Sequence, residues 1–201
     1  MNSIDDLHEF IEAYPFGVLM SSDLTATHLP FIVDIDEKGN ARLYGHFARA
    51  NRHWRQLSDA EVLVVFNGPH DYISPRWYVS QPNVPTWNYA ALQVKGMLSL
   101  LDDTQTLDVM ERTFTQFEPD LVVDSPVSTL VYRQTLLAGI VAFKIDIAHW
   151  QGKQKLGQQK SLADQQGVVR GLQASNTPDA QGLLAYMQTT QIGMGKPKVK
   201  L

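Results

Sequence analysis

The chain opens on a 3.6-residue period: Ile4, Leu7, Phe10 and Ile11 form one apolar stripe, Ser3 stands at the capping position with Asp6 three residues on, and Pro15 ends the run. From residue 16 the period changes. Short β-prone runs at 16–22, 27–35, 42–47 and 61–66 are separated by turn-formers such as Glu37-Lys38-Gly39-Asn40, while 48–57 suits a short helix before the fourth run. The pattern predicts a meander of antiparallel strands with one helical interruption. Farther on, 86–101 and 140–150 read as longer strands, the first with Gly96 placed for a bulge or sharp coil, the second with Val141, Phe143, Ile145 and Ile147 on one face. Between them Leu107, Met110, Phe114 and Phe117 recur at three and four residues, the stripe of a helix covering a barrel end. Ser161 then caps a helix predicted over 162–174, with Asp164 at the capping-box position, and a second helix follows over 180–188. About six strands with few intervening helices suit a mainly β fold, a closed barrel with peripheral helices, better than a parallel α/β sheet. The expected organisation is a barrel domain over 1–150 and, over 151–201, a loop, a helical hairpin and a tail packed on it.

Composition narrows the function classes. With 44% hydrophobic and 19% charged residues the chain can bury an ordinary globular core. No run approaches the roughly 18 uncharged apolar residues of a membrane helix, and Asp5, Asp6 and Glu9 replace the basic start of a secretion signal, so a soluble, cytoplasmic protein is expected. The absence of cysteine excludes disulfides, thiolate metal sites and cysteine nucleophiles. A net charge of -4 gives no global attraction to a polyanion. The basic cluster His149, Lys153, Lys155 and Lys160, with Lys196, Lys198 and Lys200 in the tail, reads as a solvated loop and terminus. The helix pair over 162–188 carries Asp164 and Asp179 but only Arg170 as a base, too few donors for a DNA-reading helix. Direct DNA binding is therefore doubtful.

Candidate chemistry concentrates between Leu43 and Tyr89, which holds three of the four tryptophans, three of the six histidines and Arg49, Arg52, Arg55 and Arg76. So many large amphipathic side chains at strand ends and loops ask for a planar, charged ligand. No G-x-G-x-x-G or P-loop signature appears, so a phosphate must be held by side chains and helix-start amides. Ala48, Arg49, Ala50 and Asn51 sit where a strand ends and a helix begins, which brings N–H groups and a guanidinium to one anion. Arg49 and Arg52 read equally as a solvated helix face with stems packed on Trp54. His28, His46, His53 and His70 form no pair at metal-ligand spacing, and Ser74 lies outside any G-x-S-x-G turn, so no metal site is expected and no catalytic residue is identified.

THLPF at 27–31, LYGHFARANRHW at 43–54, EVLVVFNGPHDYISPRWY at 61–78, VPTWNYAALQVKG at 84–96 and QGKQKLGQ with QGVVRGL at 151–172 together resemble the PaiB family of FMN-binding negative transcriptional regulators. The resemblance spans nearly the whole chain. It implies an FMN-binding split β-barrel of the pyridoxamine-phosphate-oxidase-like kind, assembled as a homodimer with FMN near the subunit interface. It further implies that Arg49 and Asn51 hold the FMN phosphate with the Ala50 amide, and that His46, Thr86, Trp87 and Asn88 border the isoalloxazine or ribityl chain. Trp87 has a plainer alternative as a barrel plug. The family's GKxKLSQNR block appears here as residues 152–160 without its Ser and Asn-Arg, and Arg52 stands where Pro is common. The expected function is PaiB-type regulation through a protein partner or the flavin's state. The alternative is an FMN-dependent oxidoreductase acting on a small molecule.

Overall fold

A computed structural model describes residues 1, 3–122 and 130–196. Helix α1 (Ile4–Ala13) begins as expected: the Ser3 hydroxyl accepts from the Asp6 amide and the Asp6 carboxylate from the Ser3 amide, a reciprocal pair that satisfies two otherwise orphaned donors. Strands β1 (Phe16–Met20), β2 (Ala26–Pro30), β3 (Ile32–Ile35), β4 (Ala41–Ala48), β5 (Ala60–Ile73), β6 (Thr86–Leu100) and β7 (Ile140–Lys155) form one sheet in the order β2-β1-β5-β6-β7-β4-β3. The run predicted over 27–35 is thus two strands, because the chain bends at Phe31, whose amide donates to the Pro15 carbonyl at 2.9 Å. The bend decides the topology. One segment pairs antiparallel with β1 through Ala26–Pro30 and with β4 through Ile32–Ile35, so it supplies both edges of the sheet and joins its two ends.

The chain divides into two compact units. The barrel unit comprises residues 2–66 and 92–151; the hairpin unit comprises residue 1, 67–91 and 152–201.

In the barrel unit, strand alternation turns Leu43, Gly45 and Phe47 of β4 inward and leaves Arg42, Tyr44 and His46 partly exposed. Four fully buried rings fill the interior: Phe31 meets Phe66 and Phe143 edge-on at 5.3 and 6.0 Å, and Phe47 lies 5.0 Å from Phe143. Gly96 has a close-approach role, since a side chain there would run into the Asp146 carbonyl. Helix α2 (Asp103–Phe117) is capped reciprocally by Asp102 and Gln105, yet it buries Thr106, Val109 and Met110 while Phe117 stays exposed. The stripe is therefore rotated from the one its large apolar residues suggest. Helix α3 (Leu130–Gly139) was not expected.

In the hairpin unit, helices α4 (Leu162–Ala174) and α5 (Pro178–Thr190) match the predicted pair. Val168, Leu172, Ala180, Leu183, Leu184 and Met187 pack with Ile73, Tyr78 and Leu156 into one core. Ser161 accepts from the Asp164 amide as expected of a cap. The Asp164 carboxylate, buried to 2% exposure, instead receives Val79 N–H, Ser80 N–H and the Ser80 hydroxyl at 2.8, 2.8 and 2.7 Å. Gly167 and Gly171, one turn apart, leave the groove that seats Trp77: a methyl at 167 would overlap the Trp77 carbonyl and one at 171 its indole ring.

Candidate functional site

In the barrel unit, the turn after β4 is built by backbone and side chain together. β4 ends at Ala48, Arg49 and Ala50 are exposed, and a single 3-10 turn over Arg52–Gln56 replaces the expected short helix. Asn51 caps it, its Oδ1 accepting from the His53 amide at 3.1 Å. Arg49 is not free for a ligand in this arrangement. Its Nε donates to the Ala138 carbonyl at 2.8 Å and its Nη2 to those of Leu137 and Ile140 at 3.1 and 2.7 Å, while its amide donates to Gly139. A cation at the carbonyl end of α3 is electrostatically favoured there. Trp54 donates its indole N–H to the Arg49 carbonyl at 3.1 Å, and the ring lies under the guanidinium of Arg55, not of Arg49 or Arg52. His46 is largely covered, and burial holds its imidazole below the ordinary histidine range.

His53 joins the same turn to the β1–β2 connection. The ring, 5% exposed, lies edge-on to Phe47, with Nε2 2.7 Å from the Ser21 hydroxyl and Nδ1 2.8 Å from that of Thr27. Ser21 is also 2.5 Å from the Asp23 carboxylate, which further accepts from the Thr25 amide and hydroxyl and from Gln56. These bonds, the Ser21 hydroxyl foremost, hold the Asp23 carboxyl well below the usual carboxylate range. The sequence carries little sign of this cluster, because Ser21 and His53 stand 32 positions apart.

In the hairpin unit, β6 begins with Thr86, Trp87 and Asn88, and alternation sends Trp87 and Tyr89 to one face and Thr86 and Asn88 to the other. Trp87 is 51% exposed, 6.2 Å from His70 and 6.3 Å from Tyr72 between ring centroids. It is no barrel plug. Beside it lies an open cleft of about 330 Å³, lined by Asn67, Gly68, His70, Trp87, Tyr89, Ala90 and Ala91. On the opposite face Thr86 accepts from the Lys155 ammonium at 2.5 Å. Asn88, 1% exposed, keeps a buried Nδ2 with no hydrogen-bond partner among the described residues. Gly157, at φ +74°, closes over that amide. An unspent buried donor costs about 1–3 kcal/mol and calls for an explanation.

The predicted residues thus fall into two sets, His46, Arg49, Ala50 and Asn51 in the barrel unit and Thr86, Trp87 and Asn88 in the hairpin unit. Lys155, expected in a solvated loop, is exposed at the end of β7, where its ammonium meets Thr86. Lys198 and Lys200 lie outside the described residues. Among the described residues no group of acidic and histidine side chains could hold a metal ion, and no helix is long and apolar enough to cross a membrane.

The chain matches over residues 1–149 the family described as "Putative FMN-binding domain". It is 32% identical to the protease synthase and sporulation protein PAI 2 of Bacillus subtilis, the match covering 94% of this chain and 93% of that one. An uncharacterised protein of Emericella nidulans is 30% identical over 87% of this chain and 88% of its own. Among solved structures, the flavocytochrome Anf3 of Azotobacter vinelandii superposes with a TM-score of 0.61 at 13% identity, covering 77% of this chain and 68% of that one. The FAD- and haem-binding protein of Mycobacterium smegmatis gives 0.58 at 16% identity, covering 77% and 72%. At such identities the likeness shows the fold alone, a mainly β split barrel.

Proposed function

The chain belongs to this family of FMN-binding domains, of the PaiB type, and from that premise we propose that it binds FMN as a regulatory flavoprotein. The observation that carries the reading is the half-exposed Trp87 indole, grouped with His70 and Tyr72 beside an open cleft. An isoalloxazine needs a flat apolar surface and donors for its pyrimidine oxygens. Trp87 offers the surface, and the small Gly68, Ala90 and Ala91 allow close approach. Thr86, Lys155 and the orphaned Nδ2 of Asn88 are polar groups on the strand's other face. The flat, open indole surface fits the ring of the cofactor. When bound, FMN supplies one- or two-electron redox chemistry; the chain's residues bind and orient it.

Phosphate binding by Arg49, the Ala50 amide and Asn51 is proposed of the barrel unit by itself, and it requires Arg49 to release the carbonyls of Leu137, Ala138 and Ile140. Exposure of the neighbouring Tyr72 and Trp87 supports a homodimer, since grouped exposed apolar side chains mark an interaction surface. Regulation acts through a protein partner or the flavin's state, because the α4–α5 pair turns its apolar residues into the core and has Arg170 as its single base. The openness of the cleft favours a second reading, an FMN-dependent oxidoreductase whose small substrate reaches the ring.

The test is titration of the apo-protein with FMN and FAD, with sedimentation at micromolar concentration and DNA binding at two salt concentrations. Tighter FMN binding, a dimer and only salt-sensitive, non-selective DNA binding are expected. Equal or tighter FAD binding would sink the cofactor assignment, and a selective nanomolar DNA complex at physiological salt would make the regulation direct. Rapid turnover with NAD(P)H would favour the oxidoreductase.

A further inference from the structure

The cluster around His53 has an internal direction. Asp23 is ionised and can only accept, so the single hydroxyl proton of Ser21, 2.5 Å from that carboxylate and 3.3 Å from the Thr25 carbonyl, points at Asp23. Ser21 Oγ then has only lone pairs for His53, and the 2.7 Å contact requires the proton on Nε2. Nδ1 is bare and takes the hydroxyl proton of Thr27, whose oxygen in turn accepts from Asn51 Nδ2 at 3.3 Å. The chain runs one way, from Asn51 through Thr27, His53 and Ser21 to Asp23. Its far end, Asn51, uses its other atom, Oδ1, to cap the 3-10 turn.

We propose that His53 is a proton-operated switch for the turn over residues 48–56. A second proton on the ring makes Nδ1 a donor, which displaces the Thr27 hydroxyl proton. Asn51 can receive that proton only by turning Oδ1 toward Thr27. Doing so presents Nδ2 to the His53 amide, donor against donor, and the cap is lost. The Asn51-capped turn carries Trp54, whose indole proton on the Arg49 carbonyl reports its state. Of the groups in contact with the ring, Ser21, Thr27 and Phe47 are neutral, and among the described residues the charge acting on it is that of Asp23, next to Ser21. Burial disfavours the protonated ring and Asp23 favours it, so the switch operates on the acid side of the ordinary histidine range.

The experiment is a pH titration from 8 to 5 of the ¹⁵N-labelled full chain, following the His53 amide and the Trp54 indole N–H, the latter assigned with Trp54→Phe. Both resonances are expected to move together with one inflection below about 6.5, the unperturbed histidine value. In His53→Gln the inflection disappears. In Asp23→Asn, which removes the charge that favours the protonated ring, it moves to lower pH. Resonances that stay fixed throughout the range, or an inflection that Asp23→Asn does not move, would overturn the proposal.

Discussion

Two regions the sequence marks as one ligand site differ in how their polar groups are spent. In the turn after β4, Arg49 caps α3, Asn51 caps the 3-10 turn, and hydrogen bonds link Asn51 to Asp23 without a break. At the start of β6, an indole is half in solvent and a buried amide donor is unmatched. A satisfied network holds structure and titrates as a unit. A half-exposed ring, with an unsatisfied donor on the strand's other face, leaves contacts still to be made.

The sharpest way to probe the hairpin unit is through its packing. Gly171→Ala places a methyl in the Trp77 ring and is expected to cost about 1–3 kcal/mol or more, as overpacking does. Gly182→Ala in α5, where a methyl meets nothing, should instead gain up to about 1 kcal/mol from helix propensity. Urea unfolding of both variants reads the difference in sign, and two equal shifts would refute the seat.

The next effect bears on the ligand. Trp87→Ala should weaken FMN by about 1–3 kcal/mol, the range for losing an aromatic stacking partner, with little change in apo-protein stability. Arg49→Ala should behave oppositely if its guanidinium is mainly a helix cap, losing about 1–2 kcal/mol of stability with FMN affinity preserved in the folded fraction. Isothermal titration beside thermal unfolding separates them. A loss of FMN affinity in Arg49→Ala larger than in Trp87→Ala would return the leading role to the barrel-unit turn.

The smallest effects are in pH dependence. His53 has a folded-state pKa below its unfolded value, so its contribution is complete above about 6.5 and is lost as pH falls through the folded value. Asp164 is held to about 2 by the Ser80 amide and hydroxyl, then by Ser161 and Val79. Its contribution is present above the ordinary carboxylate value, near 4, and is lost as pH falls toward 2. Amide exchange should therefore show loosening of the β4 turn at a higher pH than release of residues 79–80 from α4. Ser80→Ala should move the second transition alone.

Much of the fold was legible in the chain because its signals are local. The Ser3–Asp6 box, the strand periods, the boundaries of α4 and the motif blocks each depend on residues within a few positions of one another. The motifs also reached the right family. What tertiary structure alone decided is nonlocal: that 27–35 bends at Phe31 and closes the sheet, that α2 buries Thr106 rather than Phe117, and that Asp164 leaves its capping box for Ser80. The same holds for the site. Residue types together with the family resemblance picked out Arg49, Trp87 and Asn88, but whether a polar group is spent or spare depends on partners such as Ala138, Lys155 and Ser21, brought from distant positions by strand pairing and packing. Hydrogen-bonding capacity belongs to the residue; its satisfaction belongs to the fold.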